Sequence, residues 1–255
     1  MITVKDILSR TNFGYVLKIP SANNIICGFS TREFNYDFRA DSSGVAYQEI
    51  LRNRENFLES LNLNLDKSVF IEQVHESLIK EVTETEQGKG AYDYKNSIPG
   101  ADAVITALTK TSLCILSADC LPLVFWHPQV KIIGIAHAGW RGLKERIGFK
   151  TVIRMQETYN CGPEKIKVFI GPGIRSCCYE VSRGFKEHFP GFVCGSKDRL
   201  CFDMVKAASA QLLEAGIVQE NIIDSGLCTK CNNAELFSYR GQDQKKRMLS
   251  CVALK

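Results

Sequence analysis

The sequence predicts a mixed α/β fold in which layered mixed sheets are built from strands and helices that alternate irregularly. Apolar runs of strand length recur between residues 25 and 254, and segments with helical spacing separate only some of them. Because one strand and one helix do not alternate regularly, a parallel barrel is not expected. The chain has 255 residues, enough to bury a large core, and we expect one domain over residues 1–255.

The individual elements follow from hydrophobic periodicity. Strands are predicted at Ile25–Ser30, Ser68–Val74, Ala101–Thr106, Leu113–Leu116, Leu121–Trp126, Val130–Ile135, Lys165–Ile170 and Met248–Leu254. Helices are predicted at Tyr47–Leu61, Leu143–Tyr159, Phe185–Phe189 and Asp203–Ala215. Gly216 follows the last helix, in the position where glycine commonly ends one. Polar loops are expected at Thr31–Gly44 and Gln87–Pro99.

Composition is that of an ordinary globular protein, with 45% hydrophobic, 24% charged and 9% aromatic residues. The formal net charge is +4, and the densest basic cluster is Lys245–Arg247. This charge is too small and too dispersed to indicate nucleic acid as a partner, but it is compatible with a small anion such as phosphate. We expect a monomer or a small homo-oligomer.

The N-terminal residues and the cysteines bear on the cellular compartment. The first 20 residues carry charges at Lys5, Asp6 and Arg10 and lack the apolar centre of a secretory signal. An uncharged apolar run long enough to span a membrane is also missing from the sequence. We therefore expect a cytoplasmic protein whose 11 cysteines are buried thiols, metal ligands or catalytic groups rather than disulfides.

Three apolar strands are each expected to end at one imidazole or thiol, in the sequences QVHES at His75, SADCLP at Cys120 and IAHAGW at His137. Spacings of 45 and 17 residues differ from compact structural zinc motifs, whose paired ligands lie a few residues apart. Two histidines and one cysteine supply three ligands to a tetrahedral Zn²⁺ and leave the fourth position open, as in catalytic zinc sites. Buried residues of these types also occur without a metal, so both interpretations stay open at this point.

The remaining cysteines are expected to be buried or loop thiols. Cys228 and Cys231 have the spacing of a zinc or redox motif, but a second C-x-x-C does not accompany them. Neighbouring residues of an extended segment point to opposite faces, so Cys177 and Cys178 are expected to be poor joint ligands.

Two histidines outside these sequences are expected at the surface. His127 precedes Pro128 in a predicted turn, and His188 lies among charges on a predicted helix.

Several motifs occur in a fixed order between residues 71 and 240, namely IEQVH, GADAVIT, SADCLPLVFW, IAHAGWRG, IGPGIRSCCYEV, LCTK and FSYR. This ordered set closely resembles the YfiH family, which is also called the polyphenol oxidase or laccase-domain family and is similar to the YlmD proteins. The resemblance implies a layered α/β/β/α fold and a catalytic Zn²⁺ held by His75, Cys120 and His137. It also implies deamination of adenosine, and phosphorolysis of adenosine, inosine, guanosine and methylthioadenosine to the free base and a pentose 1-phosphate.

One segment departs from the family pattern. Many members continue the motif FSTR with a Gly-Gly-Val-Ser turn, whereas here Arg32 is followed by Glu33, Phe34, Asn35 and Tyr36. The SLNLG-like segment expected shortly after it is also missing from residues 37–50. We therefore expect the loop that carries Arg32 to close differently over a substrate.

The implied reactions need a proton donor and a phosphate-binding group. Asp119, beside Cys120, and Asp102, in GADAV, are the candidate catalytic acid/base residues. Each also has a structural alternative. Asp119 could instead orient a ligating histidine, and Asp102 could be an internal cap in a tight turn. Arginine suits phosphate because its planar fork contacts two oxygens, and Arg32 and Arg141 are the candidates.

Gln73 is a candidate to orient a substrate or a metal-bound water. It lies two residues before His75, so both side chains share a face of the predicted strand. The structural alternative is a hydrogen bond to the backbone of a neighbouring strand. The structural alternative for Arg141 is an ion pair.

Three other functions fit the same residue types. One Cys and two His can also hold copper, as in a laccase-like polyphenol oxidase, but oxygen reduction through several coppers needs more than the four histidines present. A cysteine hydrolase would use Cys120 as nucleophile and a histidine as base. A binding or scaffolding protein with a structural zinc would need a fourth ligand, which the nearby sequence does not supply.

Overall fold

The computed structural model describes residues 8–11, 14–18, 24–33, 44–196 and 198–255. The strands are β1 Leu8–Thr11, β2 Gly14–Lys18, β3 Ile25–Ser30, β4 Ser68–Phe70, β5 Ile79–Glu81, β6 Ala103–Thr106, β7 Ser112–Ser117, β8 Leu121–Trp126, β9 Ile133–Ala138, β10 Lys167–Ile170, β11 Glu180–Val181, β12 Val193–Gly195, β13 Leu200–Phe202, β14 Ile222–Asp224 and β15 Met248–Leu254. The α-helices are α1 Gly44–Glu59, α2 Trp140–Lys144, α3 Ile147–Tyr159, α4 Phe185–His188 and α5 Met204–Glu214. The departure from the family pattern at residues 34–36, and the closure of the loop after Arg32, lie outside the described residues.

Hydrogen bonds arrange the described strands in two large mixed sheets and one small sheet. The first large sheet has the order β1-β2-β3-β15-β7-β4, and the second has the order β14-β10-β8-β9-β6-β5. Strand β4 is parallel to β7, β5 to β6 and β10 to β14, while the other pairs in these sheets are antiparallel. The small sheet is β11-β13-β12. The predicted mixed-sheet α/β fold is therefore confirmed.

Alternation of side chains along the strands builds a core on each face of the large sheets. Leu123 and Phe125 of β8 share one hydrophobic cluster with Met155 of α3 and Leu212 of α5. Val124, between them, belongs to a second cluster that lies between the two large sheets. A third cluster packs α1 against the outer face of the first sheet. The layers are thus helix, sheet, sheet and helix, as the family resemblance implies.

Three predicted elements differ most in the structure. The strand predicted at Val130–Ile135 lies instead at Ile133–Ala138, because residues 130–132 belong to the turn in which the Val130 N–H donates to His127 Nδ1. The helix predicted at Leu143–Tyr159 is divided between α2 and α3, because Arg146 adopts a left-handed conformation with φ 65° between them. The strand predicted at Ser68–Val74 ends at Phe70. Beyond a single β-bridge between Ile71 and Ile98, it is the side chain of Gln73, and no longer the backbone, that bonds to Leu116 of β7.

The two histidines outside the motif set differ in exposure. His188 is exposed on α4, as expected. The surface position expected for His127 is wrong: the residue is 2% exposed. Its Nδ1 accepts hydrogen bonds from the backbone N–H groups of Gln129 and Val130, which allows the ring to be buried in the turn. Among the helices that the structure describes, none combines the length and apolar character needed to cross a membrane.

Candidate metal centre and adjoining cavity

His75, Cys120 and His137, hereafter the triad, meet at one end of the large sheets. Their candidate ligand atoms all lie within 4.8 Å of one another. The two imidazole rings are arranged edge to face, with centroids 4.8 Å apart. The fold therefore brings together the three residues that the sequence singles out as metal ligands.

Each triad residue comes from a different connection in the chain. His75 lies in a bend after β4 rather than at a strand end, Cys120 lies in the turn between β7 and β8, and His137 lies in β9. His75 with φ 65° and Asp119 with φ 86° adopt the left-handed conformation, which side chains other than glycine rarely take. Such backbone costs about 1–3 kcal/mol per residue and is concentrated at functional sites.

Asp102 lies behind both histidines and is fully buried. Its Oδ1 forms a hydrogen bond with His137 Nδ1 at 2.9 Å. Its Oδ2 accepts the backbone N–H groups of Val74 at 3.2 Å and Glu76 at 2.7 Å, on either side of His75. One carboxylate thus holds both the ring of His137 and the bend of His75. Because Nδ1 is engaged, Nε2 of His137 is left for the site, as in carboxylate–histidine–metal arrangements.

Electrostatic interactions favour the thiolate form of Cys120. Burial raises the pKa of its thiol, but the charge and hydrogen bond of His137, together with His75, outweigh burial and lower the pKa to about 6. Burial lowers the pKa of His137, but Cys120 and Asp102 outweigh it and raise the pKa to about 9. The thiolate is the form of cysteine that binds metals and attacks electrophiles.

The donor atoms of the triad fit a single metal ion. Imidazole nitrogen and thiolate sulfur are ligands of both Zn²⁺ and copper. Bonds of about 2.0–2.1 Å to nitrogen and 2.3 Å to sulfur place the ligands of one ion roughly 3.3–3.8 Å apart. The triad atoms, all within 4.8 Å of one another, need only a small contraction to reach this spacing. The group can therefore hold a metal.

Gly139 leaves the space into which the thiol and one imidazole fit. A Cβ atom at this position would lie 3.0 Å from Cys120 Sγ and 3.5 Å from His75 Cδ2. A methyl group would therefore crowd the sulfur atom, and glycine allows the backbone after β9 to approach it so closely.

Gly139→Ala is expected to weaken metal binding at the triad, measured with Zn²⁺ as the probe, by about tenfold or more, the loss typical of a disturbed metal ligand. Gly184→Ala is the matched control, because the nearest atom to its added Cβ would be Ser182 Oγ at 4.0 Å. Competition with a chromogenic chelator measures both affinities. Wild-type affinity in Gly139→Ala would show that the sulfur has room to move.

A cavity of about 390 Å³ opens beside the triad. This volume falls in the range of roughly 300–1,000 Å³ that small-molecule sites usually have. Aromatic, cationic and small residues line it, namely Gln73, His75, Leu116, Ser117, Ala118, Asp119, Cys120, His137, Trp140, Arg141, Ile174, Tyr179, Met204, Tyr239, Arg240 and Arg247. Of the predicted site residues, Gln73, Asp119 and Arg141 thus share the cavity with the triad.

Three guanidinium groups in the cavity lining each lie over an aromatic ring. The distances from guanidinium carbon to ring centroid are 4.6 Å for Arg141 and Trp140, 5.2 Å for Arg240 and Tyr179, and 6.0 Å for Arg247 and Tyr239. Among the described residues that line the cavity, Asp119 contributes the single carboxylate. The cavity is therefore cationic, and it suits a ligand that combines an anionic group with a flat ring.

Gln73 and Asp119 line the cavity while their polar atoms bind other parts of the protein. Gln73 Nε2 donates to the carbonyl of Leu116 at 2.7 Å, and its Oε1 accepts the Leu116 N–H at 2.8 Å. Asp119 Oδ1 accepts a hydrogen bond from the hydroxyl of Thr229 at 2.6 Å, and its Oδ2 accepts one from the backbone N–H of Arg240 at 2.7 Å. Both side chains therefore fasten loops at the cavity wall.

Arg32 is held in a different contact from the one expected at a phosphate. Its guanidinium forms a bidentate ion pair with Asp243, with distances of 2.6 Å and 2.9 Å, and lies 5.1 Å from the centroid of the Phe237 ring. Burial raises the pKa of Asp243, but the hydrogen bond and charge of Arg32, together with the hydrogen bond from the Ser238 N–H, outweigh it and lower the pKa overall. These contacts fasten the end of β3 to the segment before β15.

Several residues that line the cavity were not predicted as site residues from the sequence, namely Ser117, Trp140, Tyr179, Tyr239, Arg240 and Arg247. The motifs HAGW, CCYEV and FSYR contain four of them, so motif membership was a usable signal. Arg247 belongs to the most basic stretch of the sequence, but only the fold places it beside the triad. Ser117 Oγ is buried without a hydrogen-bond partner among the described residues, which leaves it able to bind a ligand.

Comparison with known proteins gives consistent matches. The model of the family described as multi-copper polyphenol oxidoreductase laccase matches residues 26–255. The chain is 29% identical over 248 residues to "Purine nucleoside phosphorylase YlmD" of Bacillus subtilis (strain 168), covering 91% of this chain and 89% of that protein. It is 28% identical over 229 residues to "Adenosine deaminase RL5" from an unknown prokaryotic organism, covering 83% and 87%. The crystal structure of the hypothetical protein YfiH of Bacillus licheniformis has a TM-score of 0.89 and 28% identity, covering 97% of both chains.

Proposed function

Because the chain belongs to the laccase-like YfiH family, we propose that it is a zinc-dependent enzyme that acts on purine nucleosides. The proposed reactions are phosphorolysis of adenosine, inosine, guanosine and methylthioadenosine, and deamination of adenosine. One observation carries the proposal: a single cavity joins the triad to three guanidinium groups that lie over aromatic rings. The names of the two relatives support the same substrate class.

The triad would hold Zn²⁺, and Asp102 would keep the triad in position. A bound zinc ion lowers the pKa of a water molecule to about 7 and so supplies hydroxide at neutral pH. Asp102 keeps the His137 ring in the tautomer that leaves Nε2 available, and it holds the bend of His75. Since Asp102, unlike Asp119, does not line the cavity and its oxygens bind protein partners behind the histidines, we assign Asp102 a positioning role rather than proton transfer.

Phosphorolysis uses the cationic side of the cavity. A phosphate oxygen forms a bond to sugar C1′ while the bond from C1′ to purine N9 breaks, and the purine takes up the proton that the phosphate loses. Arg141, Arg240 and Arg247 are proposed to bind the phosphate oxygens. Asp119 is proposed to relay the proton, because each of its oxygens accepts one bond in the protein and keeps a second lone pair for a ligand.

Deamination uses water instead of phosphate. Water adds to C6 of adenine, the bond from C6 to N6 breaks, and ammonia leaves with inosine as the second product. The aromatic rings beneath the guanidinium groups are proposed to contact the purine in both reactions. Dependence on phosphate therefore distinguishes the two reactions in one protein.

Chromatographic product analysis tests this proposal. The zinc-loaded protein is incubated with adenosine, inosine and methylthioadenosine, each with and without phosphate, beside His75→Ala and the exposed control His188→Ala. We expect free base only with phosphate, and inosine from adenosine in both conditions. Both activities should be lost in His75→Ala and retained in His188→Ala. If wild-type protein shown to bind Zn²⁺ at the triad forms no product, the proposal is wrong.

A cysteine hydrolase is the second candidate function. Cys120, His137 and Asp102 form a connected series of thiolate, imidazole and carboxylate, which is the arrangement of an activated cysteine nucleophile. A hydrolase would keep its activity after chelation and in His75→Ala, and would lose it when Cys120 is alkylated. The zinc enzyme would lose its activity to the chelator.

Oxidation of phenols by several coppers has less support from the residues. Beyond the triad the chain has two histidines, of which His127 is bonded within its own turn and His188 lies on an exposed helix. Oxygen reduction at several coppers requires more imidazole ligands than this arrangement brings together.

A further inference from the structure

Four cysteines form a second cluster outside the cavity: Cys177, Cys178, Cys228 and Cys231. Their sulfur atoms all lie within 4.8 Å of one another. The Cys231 sulfur is 3.6 Å from that of Cys177 and 3.4 Å from that of Cys178. Four sulfurs bonded to one ion at about 2.3 Å would be roughly 3.8 Å apart. The cluster is therefore close to the spacing of a tetrahedral metal site.

The local backbone explains how neighbouring cysteines share this cluster. Cys177 and Cys178 lie in a turn at residues 176–178, not in the extended segment that would send them to opposite faces. Cys228 and Cys231 lie in a second turn, where the backbone N–H groups of Cys231 and Arg175 hydrogen-bond to the Cys228 sulfur.

Core packing does not account for this group of residues. Cys177 and Cys231 are exposed and Cys178 is half-buried, while Cys228 alone of the four is buried. All four are free thiols. Cationic groups lie nearby: Arg199 donates to the carbonyl of Cys177 at 2.8 Å, and Arg175 lies beside Cys228. Such charges would offset part of the two negative charges that four thiolates and one divalent ion carry together, since Arg175 also pairs with Asp224 and Arg199 with Glu180.

We propose that these four cysteines bind a second Zn²⁺ ion in a closed structural site, separate from the triad. Four sulfur ligands fill all tetrahedral positions, so no position is left for water or substrate, as in structural zinc sites. Each thiol gives up its proton when its sulfur binds the ion, and the protons pass to solvent. No electron transfer is involved.

The ion would join two loops at one wall of the cavity. The loop of the adjacent cysteines also carries Tyr179, which lines the cavity. The C-x-x-C loop carries Thr229, whose hydroxyl donates to Asp119 at 2.6 Å. Backbone hydrogen bonds such as that from Gly173 N–H to the carbonyl of Leu227, at 3.1 Å, already connect the loops. A bound ion would fix this wall without contacting substrate.

Metal stoichiometry tests the proposal. Protein purified under reducing conditions is equilibrated with Zn²⁺, freed of excess metal by gel filtration and analysed by plasma mass spectrometry. We expect two zinc ions per wild-type chain, one in Cys228→Ser/Cys231→Ser, and one in His75→Ala/His137→Ala. Cys194→Ser, an exposed cysteine outside the cluster, is the matched control and should keep two.

Cobalt substitution tests the ligand set first in the wild-type protein, where the result does not depend on the folding of a variant, and two variants then assign the absorption to one site. Tetrahedral Co²⁺ with four thiolates absorbs strongly by sulfur-to-metal charge transfer, whereas the triad offers a single sulfur. We expect this absorption to persist in His75→Ala and to be lost in Cys228→Ser. One zinc per wild-type chain, lost only with the histidines, would overturn the proposal, as would iron in place of zinc or wild-type cobalt spectra without four-thiolate absorption.

Discussion

Asp102→Asn is expected to weaken Zn²⁺ binding at the triad by about 10–100-fold, the usual loss when the partner of a metal-binding histidine is removed. Asparagine has nearly the same volume, but it replaces one oxygen by an NH₂ group. If its oxygen faces His137, the NH₂ group meets the N–H groups of Val74 and Glu76, donor against donor. If the amide is reversed, NH₂ faces Nδ1 of His137 and drives the proton to Nε2, the atom left for the metal.

The alanine variant at the same position measures how much Asp102 contributes to the stability of the fold, apart from its effect on metal binding. Asp102→Ala removes every acceptor, so a buried imidazole and two backbone N–H groups lose their partner. We expect the free energy of unfolding to fall by about 3–5 kcal/mol, the range for breaking a buried pair. Asp102→Asn should lose less stability than Asp102→Ala, because its single oxygen still pairs with one side.

Urea unfolding and chelator competition measure both effects. Asp198→Asn, at an exposed position, is the matched control and should leave stability and metal affinity unchanged. An Asp102→Asn protein that binds Zn²⁺ as tightly as wild type would show that this carboxylate does not position His137.

Local periodicity predicted those parts of the fold in which neighbouring residues decide the conformation. The runs Leu121–Trp126 and Met248–Leu254 are strands with the predicted bounds, because each is apolar on both faces and lies inside a sheet. The strand predicted to reach Val74 stops early because Gln73 bonds to Leu116, 43 residues away. A contact between such distant residues leaves no periodic signal in either segment.

The candidate site, like the fold, could be predicted from the sequence only in part. The triad could be selected by residue type and motif, since few side chains ligate metals. The cysteine cluster was not foreseen, because the turn that brings Cys177 and Cys178 together carries no glycine or proline among residues 176–178. The sequence does not show which arginines belong to the site. Arg32 and Arg240 both lie in motifs, but only the structure shows that Arg32 pairs with Asp243 and that Arg240 lines the cavity.

Arg240→Gln and Arg141→Gln are each expected to raise the KM for phosphate by about tenfold or more, while deamination of adenosine stays unchanged. A hydrogen bond to a charged group contributes about 1.5–3 kcal/mol, which corresponds to roughly 10–150-fold in binding. Glutamine keeps much of the length of arginine and can still contact the ring beneath, but it loses the positive charge and the paired donors. The loss should therefore fall on the reaction that consumes phosphate.

Steady-state kinetics of both reactions on the same protein samples decides the matter. Arg154→Gln, exposed on α3 and outside the cavity lining, is the matched control and should keep the wild-type phosphate KM. Because deamination uses the same cavity and the same proposed metal but no phosphate, it reports any general damage to the site. An equal fall in phosphorolysis and deamination would place these guanidinium groups with the purine or with the fold, and the proposed phosphate site would have to lie elsewhere.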